Sequence, residues 1–246
     1  MTVNMTNLDC SKVKSLTNLF SKLDFEENHQ NIIVRNFSTD ASIDISDMLT
    51  SSETGYIEFL GSKPIGLHKA ESVFKDSIYV GDVSVNKLFG AFDIARANSV
   101  WAMFCGAQIE GDVSMRDLSF DKLIDARTMF NCADIGNVYI ENVNFKRARI
   151  DNMFYGLHTN TLILNNVDFS DIRADDISDI FGECEIESLE IHSNCKWPTL
   201  PDYNRCDVIV LLFSQCEIYN FSVDKQDTAL IEAIKKHDPG INVSFI

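Results

Sequence analysis

Phe181-Gly-Glu-Cys-Glu-Ile-Glu-Ser-Leu-Glu-Ile191 aligns without a gap to Phe213-Ser-Gln-Cys-Glu-Ile-Tyr-Asn-Phe-Ser-Val223. Phe, Cys, Glu and Ile coincide, and both segments end in an apolar–polar–apolar triplet. A triplet of that kind alternates with the period of a β-strand, so its outer members share one face and its middle member takes the other. The same frame fits Phe130-Asn-Cys-Ala-Asp-Ile-Gly-Asn-Val-Tyr-Ile140, and Phe154 running to Thr161-Leu-Ile-Leu164. Gly81-Asp-Val-Ser-Val85 and Gly111-Asp-Val-Ser-Met115 match one another, each one residue further from its own Phe, Phe74 and Phe104.

Working outward, anchors recur at Phe74, Phe104, Phe130, Phe154, Phe181 and Phe213, preceded by weaker ones at Phe20 and Leu49. Their spacings run from 24 to 32 residues, within or near the period of leucine-rich repeats, which place one strand and one helical segment in each coil. A second aromatic slot follows the triplet at Phe120, Phe145 and Phe169, and the seventeen Phe against two Trp and six Tyr fit a residue reserved for recurring positions. One coil of about 25 residues cannot bury its own apolar faces, whereas stacked coils can. The expected architecture is therefore α/β: a leucine-rich-repeat-like solenoid of about eight coils, each with one parallel strand plus a short helix or turn, and with helical caps. Its inward residues form three ladders: the anchor Phe, the turn Phe and the strand aliphatics.

The whole chain, 1–246, reads as a single solenoid domain, with an N-terminal cap over 1–30, repeats over 31–223 and a C-terminal cap over 224–246. Val13, Leu16, Leu19, Phe20 and Leu23 have helical spacing. At the other end Leu230, Ile231 and Ile234 do so too, with Asp227 or Thr228 as N-cap and Asp238-Pro-Gly240 as the stop. Ile241 to Ile246 alternates like one more strand.

The net charge of −16 disfavours direct binding to nucleic-acid backbones and anionic membrane surfaces, and suits a basic protein partner. No continuous apolar stretch marks the first twenty residues, and the best apolar run, Val208 to Phe213, is far short of the ~18 residues of a membrane span. Seven Cys without close pairing suggest free thiols in a reducing compartment, hence a cytoplasmic location. The nature of any self-association is not readable.

Thr128-Met-Phe-Asn-Cys132, and the passage from Phe145 to the Met153-Phe154 anchor, resemble the BspA-like class of leucine-rich repeats over roughly residues 45–223. That resemblance implies a protein that binds other proteins. Many such relatives are exported whereas this chain shows no export signal, and its repeats are irregular in length, so surface adhesion is not implied with it.

Cys132, Cys184 and Cys216 stand two or three residues after their anchors. They read as a buried structural ladder more readily than as metal ligands, because free Cys packs as a small hydrophobe. The five His are scattered, and neither H-E-x-x-H nor a nucleophile-elbow or phosphate-loop signature occurs. No catalytic residue, cofactor or metal is expected, and the reading is a non-enzymatic binding module.

The middle residues of the triplets, which point to the concave face, are Glu58, Ser84, Ser114, Tyr139, Ile163, Glu190 and Ser222. Arg116, Glu141, Asn165 and His192 flank them. Tyr139 beside Ile163 is the natural hot-spot pair. A second candidate surface is an acidic patch comprising Asp168, Asp171, Asp175, Asp176, Asp179, Glu183, Glu185 and Glu187. It suggests an alternative function, an acidic inhibitor that mimics nucleic acid, for example a phage-encoded one, against a host nucleic-acid-binding enzyme. Its Asp cluster also raises a β-helix carbohydrate-active enzyme working through paired carboxylates. One strand per coil, instead of three, argues against that last reading.

Overall fold

Burial of the anchors organises the molecule. In the computed structural model, which describes residues 2–7, 12–22, 31–37, 43–55, 57–61, 65–85, 92–120, 122–145, 147–171 and 180–246, all eight anchors from Phe20 to Phe213 are buried. From Phe74 to Phe104, Phe130, Phe154 and Phe181 the rings stack nearly parallel, with centroids 5.2, 5.1, 5.3 and 4.7 Å apart. Phe213 closes the column at 4.3 Å. The second aromatic slot stacks as Phe120, Phe145 and Phe169 at 5.9 and 5.8 Å, and Trp197 extends it at 5.5 Å. These centroid separations are those of favourable offset aromatic pairs, worth about 0.5–1.5 kcal/mol each beyond the area they bury.

In chain order the strands are β1 (Thr2–Thr6), β2 (Asn31–Phe37), β3 (Ile43–Asp44), β4 (Glu53–Thr54), β5 (Ile57–Gly61), β6 (Ile65–Lys69), β7 (Ile78–Tyr79) and β8 (Val83–Ser84). They continue as β9 (Phe92–Asp93), β10 (Gln108–Ser119), β11 (Asp134–Asn144), β12 (His158–Asn165), β13 (Glu185–Ile191), β14 (Glu217–Val223) and β15 (Asn242–Phe245). The main sheet has nine strands in the order β15-β14-β13-β12-β11-β10-β7-β4, with β8 beside β10. Two three-stranded sheets, β1-β2-β5 and β3-β6-β9, accompany it, and every strand pairing is parallel. The chain is thus a parallel β-solenoid of about eight coils, and the alternating expectation for Ile241 to Ile246 is met by β15 pairing with β14.

The long strands turn a corner. In β11 both Ile135 and Val138 are buried, so the intervening Gly136 and Asn137 carry the backbone around the core instead of alternating across a flat sheet. A Cβ on Gly136 would meet the Glu110 and Gly111 carbonyl oxygens at 2.8 Å. Glycine here permits close stacking of coil on coil.

Before the anchors from Phe20 to Phe154 the segment takes the turn form of the helix-or-turn expectation in a uniform way, a double turn, whereas Phe213 follows directly on a helix. A left-handed residue sits two positions before and two after the anchor, as Thr128 (φ 53°) and Cys132 (φ 52°) do around Phe130, and Asn152 and Gly156 around Phe154. The N–H of Phe104 donates to the Met129 carbonyl, and that of Phe130 to Met153, each at 2.7 Å. Backbone bonding therefore runs from coil to coil here as well, where a helix would have spent it internally. Isolated parallel bridges, Ser99 to Asp125 and Asp125 to Arg149, make a further station. The coil is accordingly bonded to its neighbours at several stations, while from β10 to β14 each coil contributes one strand.

Two helices form among the described residues, α1 (Arg205–Leu212) and α2 (Thr228–His237). The apolar run at Val208 lies in α1, which starts with a reciprocal cap: Asn204 accepts from the backbone N–H of Cys206 and Asp207, while Asp207 accepts from that of Asn204. α2 occupies its expected place and buries Leu230, Ile231 and Ile234. Asp227 is its N-cap residue, but its carboxylate accepts from Arg205 at 2.7 Å and makes no capping bond. At the N-terminus the helical reading of Val13 to Leu23 is corrected. Residues 12–22 are turn and bridge, with Leu16 and Phe20 inward and Leu19 45% exposed. Residues 1, 8–11 and 23–30 of the expected cap, Leu23 among them, lie outside the described residues.

Candidate functional site: the outward face of the long sheet

Strand register decides which side chains stand together. Ser84 pairs with Ser114, then Tyr139, Ile163, Glu190, Ser222 and finally Ser244, one residue from each successive strand. From Ser84 to Ser222 the residues on either side of each, such as Val138 and Ile140 or Leu162 and Leu164, are buried, so the row faces outward. Ser84 through Ser222 are half-buried, because neighbours about 4.8 Å away cover their flanks. Six of the seven sequence-predicted middle residues are therefore brought into one line. Glu58 is not: it lies in β5 and pairs with Ile33 in a separate three-stranded sheet, so it is removed from the row.

The flanking positions form a second row in which Arg116 pairs with Glu141 and Glu141 with Asn165. His192 follows at the end of β13, where its N–H donates to the Leu164 carbonyl. Charges on this face are matched locally. Arg116 meets Glu141 at 3.2 Å and lies 5.8 Å from the centroid of the Tyr139 ring. His192 is 2.8 Å from Glu190 and 3.8 Å from Asp224. Burial, followed by the Asp112 charge, pushes the Tyr139 phenol up from its ordinary value. Ile163 sits between Tyr139 and Glu190 in the row, making an apolar pair within otherwise polar surroundings.

Polar ladders border this face. Asn142 donates to Asp117 and Asn166 to Asn142, both at 2.8 Å, at three strand-end positions that all have positive φ. Asn and Asp tolerate that conformation best among residues with a side chain.

The acidic patch is only partly assembled. Asp175, Asp176 and Asp179 lie outside the described residues. Asp168 is taken up internally, accepting from Ser170 at 2.6 Å and from Lys196 at 3.1 Å. Burial raises its pKa, but the Ser170 hydrogen bonds and the Lys196 ammonium outweigh that and hold it below the usual carboxylate value. Its cation comes from the following coil. Arg149 pairs with Asp151, and Lys146 lies outside the described residues. Asp171, Glu183, Glu185 and Glu187 are exposed.

Glu185 and Glu187 join residues that sequence reasoning passed over. Asp134, His158, Glu185 and Glu217 are in register across β11 to β14. His158, Asn160, Glu185, Glu187, Tyr219 and Asn220 line a hollow of about 470 Å³. Tyr219, 52% exposed, was legible as the partner of Glu187 in the gapless alignment of the two late repeats. His158 holds Asp134 at 3.0 Å, and that hydrogen bond raises its pKa against a smaller opposing effect of burial.

The cysteines do not form one ladder. Cys184 and Cys216 occupy the slot of Ala107, Ala133 and Leu157, three residues past the anchor, whereas Cys132 sits one position earlier, in the left-handed slot of Gly106 and Gly156. Cys184 donates to the Phe154 carbonyl and Cys216 to that of Phe181. Among the described residues no three His, Cys, Asp or Glu side chains are grouped to hold a metal ion, and no helix is long and apolar enough to cross a membrane. No protein family, curated protein or solved structure matches this chain.

Proposed function

We propose that this chain is a non-enzymatic binding module that recognises a protein partner through the outward face of β10 to β14. The observation that carries the reading is the in-register row from Ser84 to Ser222, with Tyr139 and Ile163 at its middle. A half-buried aromatic–aliphatic pair ringed by hydrogen-bonding side chains is the arrangement from which interface hot spots are built. The exposed carboxylates of Glu185 and Glu187, on the same strands before the corner, favour a partner with Lys or Arg opposite them. A BspA-like leucine-rich-repeat relationship, a cytoplasmic location and the absence of catalysis belong to the same proposal.

Capture from the source-cell lysate by the immobilised full chain, at two salt concentrations, tests it. A stoichiometric partner retained at high salt, and bound at least roughly tenfold more weakly by the Tyr139→Ala, Ile163→Ala double variant, is the expected result. Basic nucleic-acid-binding proteins lost at high salt, and lost on Asp171→Lys, Glu185→Lys and Glu187→Lys but not on the Tyr139 and Ile163 changes, would replace it with charge mimicry.

A further inference from the structure

Each coil is sealed by the anchor of the next, except the last. Phe213 ends the aromatic column, and α2 lies beyond it where the next coil would carry its anchor, although β15 continues the strand ladder. A helix is about 10 Å across, whereas coils stack at about 4.8 Å, so a helix cannot mesh with the ladder as a coil does. A cavity of about 290 Å³ remains between α1, β14 and α2. Ile209, Phe213, Phe221 and Ile234 form its buried part, and the exposed Ser214, His237 and Asp238 mark its mouth. That is about the liquid volume of ten water molecules, and an apolar cavity of roughly half this size already binds benzene.

The mouth selects the polar end of an occupant. It sits at the C-terminus of α2, where the last helical carbonyls carry partial negative charge. The Asp238 carboxylate, fixed by a 2.9 Å hydrogen bond from the Gly240 N–H, adds a full one. Lys235 and Lys236 of the same helical turn do not line the cavity. A hydrogen-bond donor is favoured there and an anion is not. Walls from α1, β14, α2 and Ile241 enclose a space of small-molecule size.

We propose that this cavity binds a small aromatic or alkyl molecule whose polar end is an amine or a hydroxyl. This site is separate from the sheet face and does not depend on it. Titration of the full chain with phenethylamine, 2-phenylethanol and phenylacetate, followed by calorimetry, tests the idea. The amine and the alcohol should saturate one site, with phenylacetate at least roughly tenfold weaker. Val210→Trp, which fills the cavity from its half-buried wall, should abolish binding while the melting temperature holds; Ile218→Phe serves if the first variant does not fold. Asp238→Asn should narrow the gap between amine and carboxylate and leave the alcohol unaffected. Failure of all three probes to saturate, equal affinity for all three, or binding undiminished in a folded cavity-filling variant would overturn the proposal.

Discussion

Phe154→Ala is the substitution that most directly tests the aromatic column as the source of cohesion. The Phe154 ring is fully buried and stacks at 3° to Phe130 on one side and at 3° to Phe181 on the other. Truncating a buried Phe costs about 3–5 kcal/mol, from lost transfer energy and the cavity left behind. Two lost stacks, each worth about 0.5–1.5 kcal/mol, place this position at the upper end of that range, near 5 kcal/mol. Phe20 provides the comparison: it is also buried, but its aromatic contact is a tilted one with Phe59 at 6.4 Å. Phe20→Ala should cost about 3 kcal/mol. In a solenoid each coil touches only its neighbours, so loss at Phe154 should also loosen the coupling between the two halves. Equilibrium urea unfolding gives the energies, and hydrogen exchange gives the location. The amides of Phe130 and Phe154, bonded to Met153 at 2.7 Å and Ile180 at 2.8 Å, should lose protection first. A cost at Phe154 equal to or below that at Phe20, or unchanged exchange at those two amides, would refute the reasoning.

Thr128 is β-branched yet held at φ 53°, a conformation that its side chain disfavours and Asn tolerates. Thr128→Asn should therefore stabilise by about 1 kcal/mol, read as a rise of roughly 2–4 °C in Tm. His158 sets a pH dependence. Its hydrogen bond to Asp134, with the Asp134 and Glu185 charges, raises its folded pKa above the unfolded value of about 6.5. The stabilisation is then complete below about pH 6.5 and is lost as pH rises through the folded value. With 54% of the side chain exposed, solvent screening keeps it below about 1 kcal/mol. His158→Gln should flatten urea midpoints between pH 5 and 8, and an unchanged slope would count against this pair.

The misreading at the N-terminus has a physical cause. In the double turn inward residues recur every three or four positions, as Val73 and Phe74 follow Ala70, and that spacing imitates a helix. Leu16 and Phe20 are four apart for this reason, and only Leu19, pointing outward, tells the two apart. Cys132 was placed with Cys184 because both follow an anchor closely, yet a one-residue offset moves a side chain from the core to the surface. Glu58 has the right local pattern, but β5 bonds to β2 and leaves the main sheet.

The sequence by itself determined the repeat, the anchors, the strand triplets and, through them, the outward row from Ser84 to Ser222. Periodicity is enough for these, since stacked coils bury the same slot again and again. Tertiary structure alone decided which carboxylates remain free. Asp168 is neutralised by Lys196, 28 residues away, and Glu141 by Arg116, 25 residues away, while Glu185 faces the His158 imidazole at 3.9 Å and Glu187 stays exposed. It also decided that α2 takes the place of the next anchor and leaves a cavity beside it, while β15 continues the strand ladder. Pairing across coils and the misfit between a helix and a ladder are contacts between distant residues, and no local pattern records them.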